Sequence, residues 1–146
     1  MSKTKIKLKI HAPLDFVFRL VSDVKHFSRA VDDISKIEYL SKQQKGKGTI
    51  FRETRNMNGE SVENVLEITE FVPNKKVRFV SESQGTTWDS VYIAVDKGKY
   101  TLLILVMRAK TQKLSAKLQN LLIKPIIKKA IKKNLDAVKE YCEKKN

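Results

Sequence analysis

The fold of this chain is decided by its C-terminal third, which contains the stretch PIIKKAIKKNLDAVKEYC at residues 125–142. Apolar residues recur there at helical spacing, with many lysines between them, so the stretch predicts an amphipathic helix. A helix of this length needs a large apolar surface to lie on, and the preceding strands are the surface that the chain offers. The predicted apolar stripe consists of Ile127, Ile131, Leu135, Val138 and Cys142.

An irregularity precedes this helix. The lysine-rich pattern already begins at Lys113, but an earlier leucine stripe points in roughly the opposite direction when it is extrapolated at about 100° per residue. Pro125 lies between the two stripes, lacks a backbone donor and disfavours helical geometry at Lys124. We therefore predict a short first helix or gate segment, followed by a main helix with Pro125 in its first turn. The leucine stripe is Leu114, Leu118, Leu121 and Leu122, and the predicted solvent-facing lysines of the main helix are Lys128, Lys129, Lys132 and Lys133.

Upstream of this region, the chain predicts strands and two short helices. Residues 3–10 alternate lysines with apolar residues, which is typical of a strand with one buried face. Pro13 suits the first turn of a helix, and Asp23 suits the cap of a second one. The sequence thus predicts an α+β fold in a single domain over residues 1–146: a seven-stranded antiparallel sheet curved around the C-terminal helix, with two short helices between strands 1 and 2. The predicted strands span residues 3–10, 34–40, 49–56, 61–71, 76–83, 87–96 and 100–109.

Composition excludes several classes of protein. At 146 residues the chain is long enough to bury a core without the help of disulfides or bound metals. It has no run of about 20 apolar residues that would span a bilayer. Residues 1–9 lack the continuous apolar core of a signal peptide. The lone cysteine, Cys142, excludes an internal disulfide and suits a reducing compartment. We therefore expect a cytoplasmic protein.

The net charge of +14 raises the question of an anionic partner. The cations are 24 lysines and six arginines, whereas bidentate recognition of phosphates and guanine edges favours arginine. We expect a solvated lysine surface on this basic protein. Contact with an anionic membrane is the second interpretation, and nucleic acid is disfavoured.

The hairpins predict which side chains share one face of the sheet. We take Asn58-Gly59 and Lys97-Gly98 as two-residue turns, and we expect Val77, Phe79 and Ser81 to continue the face across the strand between them. The predicted opposite pairs are Phe51–Leu66, Glu53–Asn64 and Arg55–Val62 in the first hairpin, and Trp88–Met107, Ser90–Leu105, Tyr92–Leu103 and Ala94–Thr101 in the second.

This face mixes large aromatic side chains with a few polar groups, as small-molecule pockets of about 300–1,000 Å³ do. A plain sheet core with polar residues near its rim is the alternative interpretation. No metal ligands and no cofactor are predicted. The predicted ligand-binding residues are Phe27, Phe51, Glu53, Arg55, Asn64, Phe79, Ser81, Trp88, Ser90, Tyr92, Leu103, Met107, Ile127 and Ile131.

The opposite face of the last hairpin is also apolar. One long helix covers only one face of a sheet, so a bare patch there suggests a homodimer or a membrane contact. If the first strand pairs beside the last, Lys5, Lys7 and Lys9 border the patch and suit anionic lipid headgroups. The patch consists of Val91, Ile93, Val95, Leu102, Ile104 and Val106.

Residues for catalysis are scarce. His11 and His26 lack the spacing of metal ligands, and Cys142 lies on the apolar helix stripe, where a buried inert thiol is expected. Gly46-Lys47-Gly48 lacks the rest of a phosphate-binding loop. Glu53 is the one candidate acid or base, although an ion pair with Arg55 is the structural alternative.

Three segments carry a resemblance to a known family. HAPLDFVF at 11–18, continuing through LVSDV at 20–24, resembles the opening of the polyketide cyclase/dehydrase branch of the START/Bet v 1-like (SRPBCC) superfamily. GTIFRE at 48–53 resembles its third strand, and PIIKKAIKKNL at 125–135 is similar to its C-terminal helix. The resemblance implies the helix-grip fold and a hydrophobic cavity between sheet and helix, with an entrance near the short helices. The chain departs from the family pattern at residues 27–30, which read FSRA and lack the family's Tyr/Phe-Pro step.

Two functions of different classes follow. The first is a non-catalytic carrier or sensor that encloses a hydrophobic small molecule such as a lipid, a quinone or a polyketide-like compound. The second is a polyketide cyclase or dehydratase in which Glu53 acts as a base and Ser90 or Tyr92 orients a carbonyl. A third interpretation, lysine-driven binding to a membrane or nucleic acid, predicts steep salt dependence.

Overall fold

A computed structural model of the chain describes residues 2–57, 59–83, 85–112, 115 and 124–145, and these ranges form one seven-stranded antiparallel sheet with three helices. The strand order is β1-β7-β6-β5-β4-β3-β2, so the first and last strands of the chain lie side by side. The predicted helix-grip α+β architecture is confirmed. The elements are β1 (Ser2–Ile10), α1 (Leu14–Ser22), α2 (Val24–Ala30), β2 (Ile34–Tyr39), β3 (Ile50–Met57), β4 (Glu60–Val72), β5 (Lys76–Ser83), β6 (Thr86–Asp96), β7 (Thr101–Thr111) and α3 (Lys124–Lys145).

The two short helices form where the sequence predicts them. Pro13 precedes α1 in extended geometry, and Asp15 lies in the first turn, where the helix dipole favours a carboxylate. Asp23 ends α1 and caps α2, because its side chain accepts a hydrogen bond from the Lys25 backbone N–H at 3.1 Å. The buried Thr101 hydroxyl donates to the Ala12 carbonyl at 2.7 Å and holds the β1–α1 corner against β7.

The long helix α3 lies across one face of the sheet. Its predicted stripe is buried, with Val138 and Cys142 fully inaccessible, while the four predicted solvent-facing lysines are exposed. Pro125 is its second residue, as expected for a first-turn proline. The His11 backbone N–H donates to Glu143 at 2.9 Å and ties the C-terminal end of α3 to the end of β1. The leucine stripe at Leu114, Leu118, Leu121 and Leu122 and the predicted gate segment lie outside the described residues.

The predicted register of the β3–β4 hairpin is confirmed. Phe51 pairs with Leu66, Glu53 pairs with Asn64, and Arg55 pairs with Val62. Gly59 has a φ of +81°, a left-handed geometry that glycine adopts at little cost. Asn58, the other half of the predicted turn, lies outside the described residues.

The predicted register of the last hairpin is wrong by two residues. The turn contains four residues, since Asp96 pairs with Thr101 and the Lys97 N–H donates to the Tyr100 carbonyl at 3.0 Å. The Asp96 carboxylate stabilises this longer turn by accepting from the Gly98 N–H at 2.8 Å. A shift of two residues leaves every side chain on its predicted face. The observed pairs are Trp88–Ala109, Ser90–Met107, Tyr92–Leu105 and Ala94–Leu103.

The sheet therefore has an inner face, which packs with the helices, and an outer face. The core contains inner-face side chains of the sheet together with the buried residues of α1, α2 and α3. Among the described residues, no helix is both long and apolar enough to cross a membrane.

Candidate ligand-binding face

An aromatic cluster crosses the inner face from α2 to β3. The Phe27 and Tyr92 ring centroids are 6.5 Å apart, Tyr92 and Phe79 are 6.1 Å apart, and Phe79 and Phe51 are also 6.1 Å apart. All three pairs are edge-to-face, the geometry that the ring quadrupoles favour. Each of these four rings is at most 8% exposed, so this part of the face is filled by the protein's own side chains.

The inner face is less completely covered beside this cluster. Trp88, Ser90 and Met107 keep part of their surface accessible, whereas Leu103 and Leu105 on the same face are almost completely buried. Ser90 is opposite Met107, and Trp88 is two residues before Ser90 on β6. This open portion of the face lies toward the ends of β6 and β7 that pair Thr86 with Thr111.

Three hydroxyl groups occupy this open portion. Thr4 is opposite Met107, and Ser81 is opposite Trp88. Thr4 is 4% exposed and Ser81 is 7% exposed, yet neither hydroxyl has a hydrogen-bond partner within the described part of the chain. The Ser90 hydroxyl donates only to the Met107 thioether sulfur at 3.0 Å, which is a weak acceptor. From strand spacing, Thr4 and Ser81 are roughly 16 Å apart, and Ser90 lies between them.

Unpartnered buried hydroxyls are unusual in folded proteins. Burying such a group without a partner costs about 1–3 kcal/mol by mutational data. Buried polar groups are ordinarily paired with protein atoms or ordered water. Two of them on the inner face, with the weakly paired Ser90 between them, are groups that the polar atoms of a bound ligand would stabilise.

A buried ion pair lies on β3 at the side of this face. The Glu53 carboxylate accepts a hydrogen bond from the Arg55 Nε at 2.8 Å, and Glu53 is 7% exposed. Because the two residues alternate on one strand, both side chains lie on the same face. The ion pair that the sequence offered as the alternative to a catalytic carboxylate is therefore present.

Tyr92 is the inner-face residue whose ionisation is perturbed most clearly. Burial raises the pKa of the Tyr92 phenol to about 12, with a smaller lowering contribution from Arg55 and a raising one from Glu53. The phenol forms no hydrogen bond with any described residue. It remains neutral at physiological pH and keeps its proton available for donation.

The structure brings most of the predicted site residues onto one face. Phe51, Phe79, Tyr92 and Leu103 pack in the core, and Ile127 and Ile131 of α3 are buried with them. Asn64 is partly exposed opposite Glu53. Thr4 was missed, although the alternation of Ile6, Leu8 and Ile10 would have placed it on the same face.

Two surface clefts lie elsewhere, and neither is lined by a predicted site residue. A cleft of about 300 Å³ lies between α1 and two turns, with Phe18 and Phe71 among its lining residues. A second cleft of about 390 Å³ lies between the β1–α1 corner and the β6–β7 turn. Among the described residues, no cluster of His, Cys, Asp and Glu has the arrangement of a metal site.

The fold is shared with several solved structures. The chain superimposes on a START superfamily protein from Mycobacterium smegmatis with a TM-score of 0.79 and 12% identity, covering 99% of both chains. The Zhui aromatase/cyclase from Streptomyces sp. R1128 superimposes with a TM-score of 0.75 and 15% identity, covering 97% of this chain and 93% of that one. Ara h 8.0201 superimposes with a TM-score of 0.76 and 11% identity, covering 97% of both chains. At these identities the likeness establishes the START/Bet v 1-like fold.

No protein-family model matches this chain, and no curated protein matches it either.

The ionisation of Tyr92 predicts a loss of stability at alkaline pH. The pKa of the phenol is higher in the folded state than its ordinary value of 10.0, so protonation of Tyr92 favours folding. This contribution to the unfolding free energy is complete below about pH 10 and is lost as the pH rises toward about 12. We expect the unfolding free energy of the wild type to fall by about 2 kcal/mol relative to that of Tyr92→Phe across this interval. Urea denaturation at about pH 9 and about pH 11.5 measures it. A difference that stays constant would contradict the buried, neutral phenol.

Proposed function

We propose that this protein binds a hydrophobic small molecule between the inner face of the sheet and α3, as a non-catalytic carrier or sensor. The observation that carries the proposal is the pair of buried, unpartnered hydroxyls of Thr4 and Ser81 beside the partly open side chains of Trp88 and Met107. A ligand that accepts or donates hydrogen bonds there relieves the cost of burying them. Its apolar part gains about 25 cal/mol for each Å² that it buries.

The charges of the face favour a neutral polar group on the ligand. Arg55 on β3 contributes a cation to this face, and its guanidinium is engaged by Glu53. A ligand carboxylate would compete with Glu53 for Arg55, whereas a carbonyl or hydroxyl needs only the hydroxyl groups. Quinones and polyketide-like compounds fit this requirement better than fatty acids do.

The entrance and the compartment are also part of the proposal. Phe27 of α2 contacts Tyr92, so movement of α2 would open the aromatic end of the face. Cys142 is buried, and burial raises the pKa of its thiol to about 12, which keeps it unreactive. A reducing cytoplasm suits this single thiol.

We predict that Ser81→Ala and Thr4→Val change ligand affinity and stability in opposite directions. Each should weaken binding by about 2- to 10-fold because a hydrogen bond to the ligand is lost. Each should leave the ligand-free protein equally or more stable, because an unpartnered buried hydroxyl is removed. The probe is the neutral quinone, sterol or aromatic polyketide that raises the wild-type melting temperature most, with affinity measured by calorimetry.

Thr101→Val is the matched control. It makes the same substitution on the same face, but the Thr101 hydroxyl already donates to the Ala12 carbonyl. It should lower the free energy of unfolding by about 1 kcal/mol and leave the affinity unchanged. Unchanged affinity in both Ser81→Ala and Thr4→Val would place the probe away from these hydroxyls and contradict the proposal.

A cyclase or dehydratase is the second candidate function. It is favoured by one observation, a buried carboxylate on the ligand face at Glu53, and by the structural likeness to the Zhui aromatase/cyclase. Against it, the Glu53 carboxylate accepts a hydrogen bond from the Arg55 Nε at 2.8 Å and is held in a structural ion pair. The Arg55 contact is therefore the reason that the carrier is preferred.

Glu53→Gln distinguishes the two functions. The amide is nearly isosteric but accepts no proton, so an enzyme that uses Glu53 as a base should lose turnover by about 100-fold or more. For a carrier we expect the probe affinity to stay within about threefold of the wild type. Turnover of a poly-β-ketone substrate by the wild type, lost in Glu53→Gln, would overturn the non-catalytic proposal.

A further inference from the structure

The outer face of the sheet carries an aliphatic patch that no helix among the described residues covers. Val91 pairs with Val106, Ile93 with Ile104, and Val95 with Leu102 on adjacent strands. All six side chains are partly exposed, and none belongs to the core that packs with α3. The aliphatic patch is therefore accessible to a partner.

A row of four lysines borders the aliphatic patch on one side. Lys3, Lys5, Lys7 and Lys9 are exposed on β1, and the last three are opposite Val106, Ile104 and Leu102 of the patch. None of the four forms an ion pair with a described carboxylate. Lys9 has a different contact, with its Nζ 5.0 Å from the centre of the Tyr100 ring. We call these four residues the lysine row.

The opposite border of the aliphatic patch has its charge neutralised. Arg78, which is opposite Val91, forms ion pairs with both Glu70 and Asp89, and Lys76 pairs with Glu70 at 2.7 Å. The positive potential of this face is thus concentrated on the β1 side of the patch, where Arg108 of β7 lies opposite Lys3. An anionic partner would engage that side while an apolar partner surface covers the aliphatic patch.

A second copy of the chain fits this surface poorly. From strand spacing the aliphatic patch covers roughly 160 Å² of sheet, whereas a stable interface buries about 800 Å² on each partner. Each copy also carries a net charge of +14, so association brings like charges together. Nucleic acid would use the cations but would leave the aliphatic side chains without a role.

We propose that the lysine row and the aliphatic patch dock this protein on an anionic lipid bilayer. The lysines engage the headgroups, and the aliphatic side chains enter the interfacial region beside them. This inference is independent of the proposed ligand, because it concerns the opposite face of the sheet. The chemistry is that of peripheral attachment, in which electrostatic attraction adds to a small apolar contact.

Vesicle flotation tests the lysine row. We expect the wild type to float with vesicles of 70% phosphatidylcholine and 30% phosphatidylserine, and to remain behind with phosphatidylcholine alone. Lys5→Gln/Lys7→Gln/Lys9→Gln should reduce the partition coefficient by about 100-fold at low salt, from the usual contribution of each lysine near such a surface. Lys128→Gln/Lys129→Gln/Lys132→Gln on α3 removes the same charge elsewhere and should reduce it by less than about tenfold.

An isosteric pair of substitutions tests the aliphatic patch. Val91→Thr/Val106→Thr should weaken partitioning into vesicles by about 10-fold, because a hydroxyl replaces one methyl group of each valine that would enter the bilayer. Val65→Thr/Val72→Thr is the control, because both valines are exposed on β4, at 41% and 43%, outside the patch. Circular dichroism melting checks that every variant remains folded.

Three outcomes would overturn the docking surface. An equal fall in the partition coefficient for the β1 and α3 lysine triple variants would indicate diffuse electrostatic attraction, with no defined docking face. If the wild type sediments with twice the mass of one chain and Val91→Thr/Val106→Thr sediments as a monomer, the aliphatic patch would be assigned to a second copy. Loss of duplex DNA binding in the β1 lysine triple, with no binding to vesicles by the wild type, would assign the lysine row to nucleic acid.

Discussion

The packing of α3 across one face of the sheet is the constraint on which the rest of the structure depends. Ile127, Ile131, Leu135, Val138 and Cys142 form one buried stripe, and burying that stripe requires a continuous apolar surface from several strands. Once α3 occupies the inner face, the inner side chains are withdrawn from water and the outer ones are left exposed. The two faces consequently acquire different chemistry, and each of the two proposals concerns one of them.

On the inner face, the cost of withdrawing polar groups from water is the main clue to function. The protein satisfies Thr101 through the Ala12 carbonyl and Glu53 through Arg55, but it leaves Thr4 and Ser81 unpartnered. Both unpartnered groups lie beside partly open side chains, whereas the aromatic cluster around Tyr92 fills its own part of the face. The Thr69 hydroxyl on β4 is also buried without a partner among the described residues, but Thr4 and Ser81 are the ones that lie opposite partly open side chains. At these two residues, unsatisfied polarity and incomplete packing coincide, which is the arrangement that a small-molecule site requires.

Sequence periodicity was sufficient to predict the fold and most of the face. The stripe of α3, the capping by Asp23 and the β3–β4 register all follow from local spacing and turn chemistry. The last hairpin was misread because the Lys97-Gly98 pair does not reveal that Asp96 closes a four-residue turn. The ion pairs of Arg78 and the absence of a described partner for the Ser81 hydroxyl depend on distances between strands, which the sequence does not give. Spacing alone therefore identifies which residues share a face, but not which of their polar atoms are satisfied.

The central claim, a ligand site on the inner face beneath α3, is tested most directly by the fluorescence of Trp88. It is the chain's only tryptophan, and it lies opposite Ser81. We predict that the neutral probe quenches its emission or shifts it to the blue, saturating at about one ligand per chain, and that acrylamide then reaches the indole less well. A probe that binds by calorimetry at this stoichiometry while leaving the Trp88 emission and its acrylamide quenching unchanged would contradict the account.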